Sequence, residues 1–443
     1  MQKAIGILLI CLFNSILSFS QFKPGNFALK DVTLIDGISN VEKSHFTIII
    51  RDNIIQSLGP VAETLIPDSV VVFSCTGKYL MPGLIDTHVH LATDPDAEDN
   101  RQRAERDLRD MLLSGITTVR DMAGDARALA SLSRDASLDE IISPDIFYSA
   151  LMAGPSFFED PRTIQSSRGG KPGEMPFMKA VTDSTDLRQA IAEAKGTRAT
   201  AIKLYAELSA RLAERITAEA HKQGMQVWSH ANLDQAKALD VINASVNVVS
   251  HAAMLSDWHR DNIPNVCLRS GLTEKFWDSL FKFFPVAELA KAIKANHTIL
   301  DATVLVFQEA GSDPSLPVSS RQIYLAMYEM GRRFTRALWE SGVPVCTGTD
   351  VDEKKFVQRE MKILVKECGF SPMDALISAT QIGARAIGLE KSRGTVEPRK
   401  IADLLLLSAD PSKDIDNIDK VYRVIKNGKL YSNNQIVEAQ LYD

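Results

Sequence analysis

The chain has 443 residues, of which 45% are hydrophobic and 24% charged, the composition of an ordinary globular protein. Its net charge of -6 at pH 7, without any dense tract of Lys or Arg, argues against nucleic acid and membrane surfaces as partners. The length exceeds what one compact core usually holds, so we expect one large domain and a smaller one.

The first twenty residues have the features of a signal peptide. Lys3 supplies a positive charge, residues 4–13 are an apolar run too short to span a bilayer, and small residues lead to a cleavage site near Ser20. An uncleaved anchor and a lipoprotein modified at Cys11 are the alternatives. The sequence predicts an exported protein, periplasmic or secreted, whose mature chain begins at Gln21.

Both ends of the mature chain are rich in β-forming residues. Residues 21–80 contain short β-rich runs separated by turn signals, and residues 391–443 return to this pattern with a hairpin turn at 426–429. We expect the two ends to form one small β-sandwich domain.

The middle of the chain, residues 81–390, alternates short apolar runs with helical patterns. Eight strand candidates follow one another: 82–88, 116–121, 145–150, 200–205, 225–230, 246–251, 298–305 and 343–349. Helical patterns accompany them, for example at 96–113, 207–223, 320–340, 355–368 and 372–388. Repeated βα units predict the α/β class and a (β/α)8 TIM barrel. The connections 152–178 and 252–296 are unusually long.

His88 and His90 close the first of these strands. Alternate residues of a strand face the same way, so the pair directs two imidazoles toward one point, as a divalent metal ion requires. Two histidines that merely lie near a turn are the alternative for this pair alone.

Other candidate ligands stand at the ends of later strands, namely Lys203, His230, His251 and Asp350. The chain contains eight histidines, and four of them fall at predicted strand ends. Because the C-terminal strand ends of a TIM barrel carry its active site, we predict that these side chains share one metal site.

Lys203 and Asp350 are the two candidate ligands that are not histidines, and each residue type suggests a specific role. A buried lysine has a lowered pKa and can take up carbon dioxide, giving a carbamate with two oxygens for two metal ions. The alternative is a lysine that snorkels to solvent at the barrel mouth. Asp350 suits the roles of ligand and base, and its alternative is the N-cap of the following helix.

Short motifs extend this pattern over nearly the whole mature chain. They are Met81–His90 (MPGLIDTHVH), Gly115–Asp121 (GITTVRD), Ile202–Tyr205 (IKLY), Ser229–Ala231 (SHA), Ser250–His251 (SH), Gly348–Asp350 (GTD), Ala379–Thr380 (AT), Gly394–Pro398 (GTVEP) and Ala402–Leu404 (ADL). As an ordered set they resemble the amidohydrolase superfamily, in particular its binuclear members with a carboxylated lysine.

The resemblance implies two divalent metal ions. Their ligands would be His88, His90 and Asp350 at one ion, His230 and His251 at the other, and carboxylated Lys203 as the bridge. Zinc fits imidazole and carboxylate ligands, with manganese or cobalt as alternatives. A hydroxide between the ions would attack the substrate carbonyl, while Asp350 takes up the proton and passes it on.

The resemblance also implies a small-molecule substrate with a scissile C–N bond. Dipeptidase or prolidase-like activity is the nearest expectation, on a dipeptide, an N-acyl amino acid or a cyclic amide. An esterase, lactonase or organophosphate hydrolase with the same site is the alternative, and so is a binding protein whose site is inactive. A homo-oligomer is compatible with the sequence.

Several further residues are candidates for contacts with the substrate. Tyr205 shares a strand face with Lys203 and is expected to donate to the substrate carbonyl, with packing at the rim as the alternative. The long connections supply aromatic residues for a lid (Phe157, Phe158, Trp258, Trp277) and arginines for a substrate carboxylate (Arg162, Arg168, Arg260), the latter equally compatible with solvated charges.

Two segments depart from the superfamily pattern. His251 stands between Ser250 and Ala252, where many relatives have Glu before the histidine and Gly after it. The strand-seven sequence Leu300–Thr303 (LDAT) also differs from the usual Pro-Thr-Leu form. No contact from strand seven can therefore be transferred.

Overall fold

The computed structural model describes residues 25–92, 100–258, 262–351, 357–432 and 435–436. The strands, numbered in chain order, are β1 Phe27–Leu34, β2 Lys43–Arg51, β3 Ile54–Pro60, β4 Val71–Ser74, β5 Tyr79–Pro82, β6 Leu84–Val89, β7 Ile116–Asp121, β8 Asp145–Ala153, β9 Glu174–Met175, β10 Met178–Ala180, β11 Ala201–Leu204, β12 Gln226–His230, β13 Val248–Ser250, β14 Ile299–Asp301, β15 Val345–Cys346, β16 Leu404–Leu407, β17 Val421–Lys426, β18 Lys429–Ser432 and β19 Gln435–Ile436.

The α-helices are α1 Arg101–Leu113, α2 Ala126–Ser137, α3 Pro161–Ser166, α4 Leu187–Gly196, α5 Ala210–Lys222, α6 Ala238–Asn243, α7 Glu274–Phe281, α8 Val286–Ala295, α9 Val304–Ser312, α10 Val318–Glu340, α11 Val357–Cys368, α12 Pro372–Ile377 and α13 Gly383–Ile387. A π-helical turn, Ser378–Ile382, joins α12 to α13, and short 3-10 helices occupy Pro155–Glu159, Ala252–Ser256, Asn265–Leu268 and Ile415–Asp419. In the described part of the chain, no helix is both long and apolar enough to cross a membrane.

Eight parallel strands form a barrel in the order β6-β7-β8-β11-β12-β13-β14-β15. The first and last strands meet through two backbone hydrogen bonds, from Thr87 N to Thr347 O and from Asp350 N to His88 O, each 2.9 Å long. The predicted (β/α)8 TIM barrel is therefore confirmed. The short strands β9 and β10 form a side hairpin that pairs with the outer end of β8.

The remaining strands form the separate β domain from both ends of the chain, as predicted. Its sheet runs in the order β19-β18-β17-β16-β5-β1-β2-β3, and β4 pairs with β1. Strand β16 is apolar on both faces because Leu404 and Leu406 pack inside the β domain, whereas Leu405 and Leu407 pack against barrel residues. One strand thus joins two cores.

The chain passes from the β domain into the barrel at Gly83, between β5 and β6. Its N–H donates to the carbonyl of Asp403, which ties the junction to the C-terminal half of the β domain. A Cβ at Gly83 would lie 2.3 Å from Thr117 Oγ1, so only glycine allows β6 to approach β7 this closely.

Strand seven is shorter than the sequence predicted. The pattern predicts a strand at 298–305, whereas β14 ends at Asp301 and α9 begins at Val304. A short apolar run cannot distinguish a buried strand from a buried helix. The buried carboxylate of Glu360 accepts the N–H groups of Val304 and Leu305 at 2.9 and 2.7 Å and so holds the start of α9.

A buried cluster of charges joins the two domains at the N-terminal end of the barrel strands. Arg393 contacts Asp145 of β8 and lies 2.5 Å from Asp403 Oδ2, while Lys426 Nζ lies 2.6 Å from Asp145 Oδ1. Thr118 Oγ1 accepts a further bond from Arg393 at 3.1 Å. Two acids and two bases therefore balance each other away from water.

Replacing Arg393 by methionine should destabilise the protein without touching its C-terminal strand ends. Asp403 would lose its buried cationic partner and Asp145 would keep only Lys426, and breaking a buried ion pair costs about 3 to 5 kcal/mol. Urea unfolding followed by circular dichroism measures this loss. A decrease in the free energy of unfolding below about 1 kcal/mol, the range of an exposed pair, would contradict the assignment.

Candidate metal centre

All six predicted ligands lie at the C-terminal end of the barrel. His88 lies in β6 and His90 directly follows that strand, Lys203 lies in β11, and His230 ends β12. His251 comes immediately after β13, and Asp350 follows β15. The fold thus brings together side chains that are up to 262 residues apart, the separation of His88 and Asp350.

The carboxylate of Asp350 lies among three imidazoles. Its Oδ1 is 3.5 Å from His88 Nε2 and 3.1 Å from His90 Nε2, and its Oδ2 is 3.7 Å from His251 Nδ1. One candidate ligand atom each from His88, His251 and Asp350 falls within 4.8 Å of the others. These three side chains alone offer a cation a compact set of nitrogen and oxygen donors.

The four histidine rings lie in a row, and three of them contact this carboxylate. The centroid of the His88 ring lies 5.5 Å from that of His90 and 5.0 Å from that of His251. The rings of His251 and His230 are 4.6 Å apart. His230 therefore extends the same cluster, as the sequence predicted.

Lys203 has no partner for its amine in the described part of the chain. The residue is 0% exposed, so it does not snorkel to solvent, and its Nζ makes no hydrogen bond. Burial lowers the pKa of Lys203 to about 7, against the opposing effect of Asp301. An unsatisfied buried amine is costly, and a bound group would relieve that cost.

The protonation states in the cluster also suit cation binding. Burial lowers the pKa of His230 and His88, and it lowers that of His251 to about 3, so neutral rings offer lone pairs near pH 7. Burial opposes the charge of Asp350, but His88 and His90 outweigh it and hold the pKa of that carboxyl well below its usual range. The Asp350 carboxylate and these three neutral rings can therefore act as donors to a cation.

Asp301 and Thr303 orient two of the imidazoles, and sequence reasoning missed both. Asp301 Oδ2 lies 2.8 Å from His88 Nδ1, and Thr303 Oγ1 lies 2.8 Å from His251 Nδ1. Partners of this kind fix the orientation of a metal-binding imidazole. The sequence feature that could have indicated Asp301 is its charge within the otherwise apolar strand-seven sequence.

Three residues near these strand ends have a left-handed backbone conformation. His251, Thr303 and Asp350 have φ values of 70°, 45° and 50°, a region that residues other than glycine rarely occupy. For the β-branched Thr303 this conformation is especially unfavourable. Such strain is typical of functional sites, where the surrounding structure holds side chains in specific directions.

Gly348 allows the last strand to pass close to the first. A Cβ at this position would lie 2.5 Å from both Asp301 Oδ1 and the Cβ of His88. Nearby, Asp86 Oδ1 accepts from the N–H groups of His88 and Thr349, both at 3.1 Å. These contacts fix the segment that carries Asp350 against the segment that carries His88.

Aromatic residues line one side of the site. The Tyr205 ring lies 4.0 Å from that of His230 and 4.5 Å from that of Phe157, and the Phe307 ring lies 6.2 Å from that of His251. The Arg162 guanidinium lies 5.9 Å from the Tyr205 ring centroid. Of the predicted substrate contacts, Tyr205, Phe157 and Arg162 therefore reach the site.

The other predicted substrate residues have different surroundings. Trp258 and Trp277 are 8% and 5% exposed and pack in the main barrel core, and Phe158 is 5% exposed in the same core. The two tryptophans therefore do not form an exposed lid in this structure. Arg168 is exposed, and Arg260 lies outside the described residues.

Comparisons with known proteins agree with this architecture. The profile of the amidohydrolase family matches residues 79–431. A Xaa-Pro dipeptidase with bound methionine in its active site aligns with a TM-score of 0.74 at 22% identity, over 92% of this chain and 99% of that one. A putative prolidase from Bifidobacterium longum aligns with a TM-score of 0.69 at 24% identity, over 91% and 93%.

Two curated sequences are also similar, both named imidazolonepropionase. The protein from Thermoplasma volcanium is 27% identical over 182 residues, which is 39% of this chain and 40% of that one. The protein from Symbiobacterium thermophilum is 31% identical over 154 residues, 32% of this chain and 35% of that one. The chain thus aligns with less than half the length of these curated relatives.

Proposed function

The chain belongs to the amidohydrolase family and is a hydrolase, and we propose that it is an exported, metal-dependent enzyme that cleaves the C–N bond of a dipeptide-like substrate. One observation carries this proposal: the amine of Lys203, which has no hydrogen-bond partner among the described residues, is buried at the same barrel end as four imidazoles and the carboxylate of Asp350. Export rests on the N-terminal sequence alone, which lies outside the described residues.

The residues present fit a pair of divalent cations. His88, His90 and Asp350 would hold one cation, His230 and His251 the other, and Lys203 would bridge them as a carbamate. The Nζ of Lys203 supports this assignment, because a carbamate needs a neutral amine without other partners and no described residue pairs with this one. Bound zinc, or manganese or cobalt, would lower the pKa of water and stabilise negative charge on a carbonyl oxygen.

Asp350 is the residue placed to move the proton. Its side chain is 21% exposed, as is that of His90, whereas those of His88 and His251 are 1% and 5% exposed. Its carboxylate can accept a proton from the attacking water and return it to the departing amine as the C–N bond breaks. Tyr205, next to His230, can donate its O–H to the substrate carbonyl oxygen.

Arg162 is the candidate for recognising a free carboxylate on the substrate. It lies on α3 beside Tyr205, and its Nη2 lies 2.8 Å from Asp160 Oδ2. The Asp160 carboxylate holds the guanidinium in place while leaving part of its five-donor fork available. This position favours dipeptides and N-acyl amino acids over substrates without an acidic group.

Replacing Arg162 by methionine should raise KM for a dipeptide by about 10- to 100-fold, the effect of losing one charge-assisted hydrogen bond. The value of kcat should change much less, and KM for the corresponding dipeptide amide should not change. Steady-state kinetics on the acid and the amide measure the difference. Equal effects on both substrates would show that Arg162 does not bind the carboxylate.

A substrate panel tests the proposed function itself. It contains dipeptides, Xaa-Pro dipeptides, N-acyl amino acids and cyclic amides, beside aryl esters, lactones and phosphotriesters. We expect turnover of C–N substrates that is lost after chelation and restored by zinc. Preferred turnover of esters, lactones or phosphotriesters would replace the proposal by the alternative hydrolase, and metal loading without any turnover would indicate an inactive binding protein.

A further inference from the structure

A buried arginine lies beneath the candidate metal centre. Arg120 of β7 is 0% exposed, and its guanidinium lies 4.6 Å from the centroid of the Trp228 ring. Its Nε donates to the carbonyl of Thr87 at 2.5 Å, and its Nη2 donates to Asp301 Oδ2 at 2.9 Å. The first contact reaches the residue directly before His88, and the second reaches the carboxylate that faces its ring.

Asp301 is the point where these contacts meet. Its Oδ2 also accepts from Ser250 Oγ at 3.0 Å and faces His88 Nδ1, and its Oδ1 accepts from Thr87 Oγ1 at 3.1 Å. Because a carboxylate that pairs with a guanidinium accepts hydrogen bonds, His88 Nδ1 is the donor in its contact with Asp301, and the Nε2 lone pair is directed toward Asp350.

We infer that Arg120 is a positioning residue of the metal centre, which acts through Asp301 and the Thr87 carbonyl to fix the ring of His88. The inference rests on the proposed function because it concerns the cation that His88 would hold. Arg120 fixes the backbone before His88 and the carboxylate behind its ring at the same time. Without the guanidinium, Asp301 would lose the cation that lies 2.9 Å from its Oδ2, and its side chain could turn away.

The chain offers a matched control for a purely structural role. Arg393 is also a buried arginine, 8% exposed, and it also pairs with carboxylates, Asp145 and Asp403. Its partners lie at the opposite end of the barrel strands. A variant of Arg393 therefore also loses a buried ion pair, but the contacts that it loses do not hold His88 in place.

Cobalt binding to the apoprotein tests the inference without relying on activity. Wild type, R120M and R393M are titrated with Co²⁺ against a competing chelator, and the visible absorption of the bound cobalt is recorded. Of the two cobalt ions, we expect R120M to bind the weaker one about 10- to 100-fold less tightly, as variants of residues that hold metal ligands in place do. The visible spectrum of the bound cobalt should change as well. R393M should lose stability but keep its cobalt affinity within about twofold.

A double-mutant cycle asks whether Arg120 acts through Asp301. The affinities of R120M, D301N and the double variant are compared, and the two losses should be strongly non-additive because they break one chain of contacts. Additive losses, or an R120M affinity equal to that of R393M, would overturn the inference. If R120M does not fold, R120K replaces it, because lysine keeps the charge but cannot reach Thr87 and Asp301 together.

The outcomes separate this inference from the proposed function. A wild-type protein that binds no cobalt would contradict both. If wild type and R120M (or R120K) both bind cobalt normally, the role of Arg120 is contradicted, whereas the proposed function is not.

Discussion

Replacing Lys203 by alanine should remove at least one of the two bound cations and lower kcat/KM by roughly 10³-fold or more, since both metal-assisted attack and charge stabilisation depend on it. The side chain is fully buried, and its amine has no other partner in the described structure that the change would disturb. Metal analysis by mass spectrometry, together with steady-state kinetics, measures both effects. Short carboxylic acids with bicarbonate should restore part of the activity by occupying the space of the carbamate.

Lys426 provides the control for removing a buried lysine. It is 1% exposed, but its amine pairs with Asp145 in the cluster between the domains. We expect Lys426→Ala to lower stability and to leave the metal content unchanged. If Lys203→Ala kept two cations per chain and full activity, the carbamate bridge would have to be abandoned.

Replacing Asp350 by asparagine should lower kcat by about 10²- to 10⁴-fold, the range that a general acid-base residue contributes. Asparagine keeps the shape of the side chain but cannot accept the proton of the attacking water. It also removes the anion at the centre of three imidazoles, so the affinity for one cation should decrease as well. Measuring kcat at saturating metal separates the loss of the base from the loss of binding.

Asp234 offers a comparison within the same group of barrel loops. It is exposed, and its Oδ2 accepts from the N–H of Glu207 at 3.0 Å. Asp234→Asn should leave kcat within about twofold, because asparagine keeps a side-chain oxygen that can accept from Glu207 and also tolerates the positive φ of 64° at this position. A metal-saturated Asp350→Asn enzyme with wild-type kcat would show that another group moves the proton.

Much of the barrel, and the position of all six candidate ligands at one end of it, could be predicted from sequence because each depends on a local pattern. The apolar strands of a parallel barrel are short and continuous, and a polar residue directly after such a strand, such as His251, is easily recognised. Lys203 was recognisable for the opposite reason, as a charge inside an apolar strand. The order of these residues then sufficed to indicate one shared site.

The contacts behind the ligands could not be predicted because they depend on packing across the barrel. Arg120 lies within a recognisable motif, but its sequence position does not reveal that it reaches Asp301, 181 residues away. The short strand around Asp301 and the turn at Thr303 depend on Glu360, which holds the start of α9. The tryptophans proposed for a lid illustrate the same limit, since an aromatic residue in a long connection is compatible with either a core or a rim position.

Anomalous X-ray diffraction from crystals of the zinc-loaded protein tests the central claim most directly. We predict two zinc peaks per chain at the C-terminal end of the barrel, one beside His88, His90 and Asp350 and one beside His230 and His251. Continuous density from Lys203 Nζ should reach both peaks. A single peak, peaks elsewhere, or an unmodified Lys203 side chain between two peaks would contradict the account.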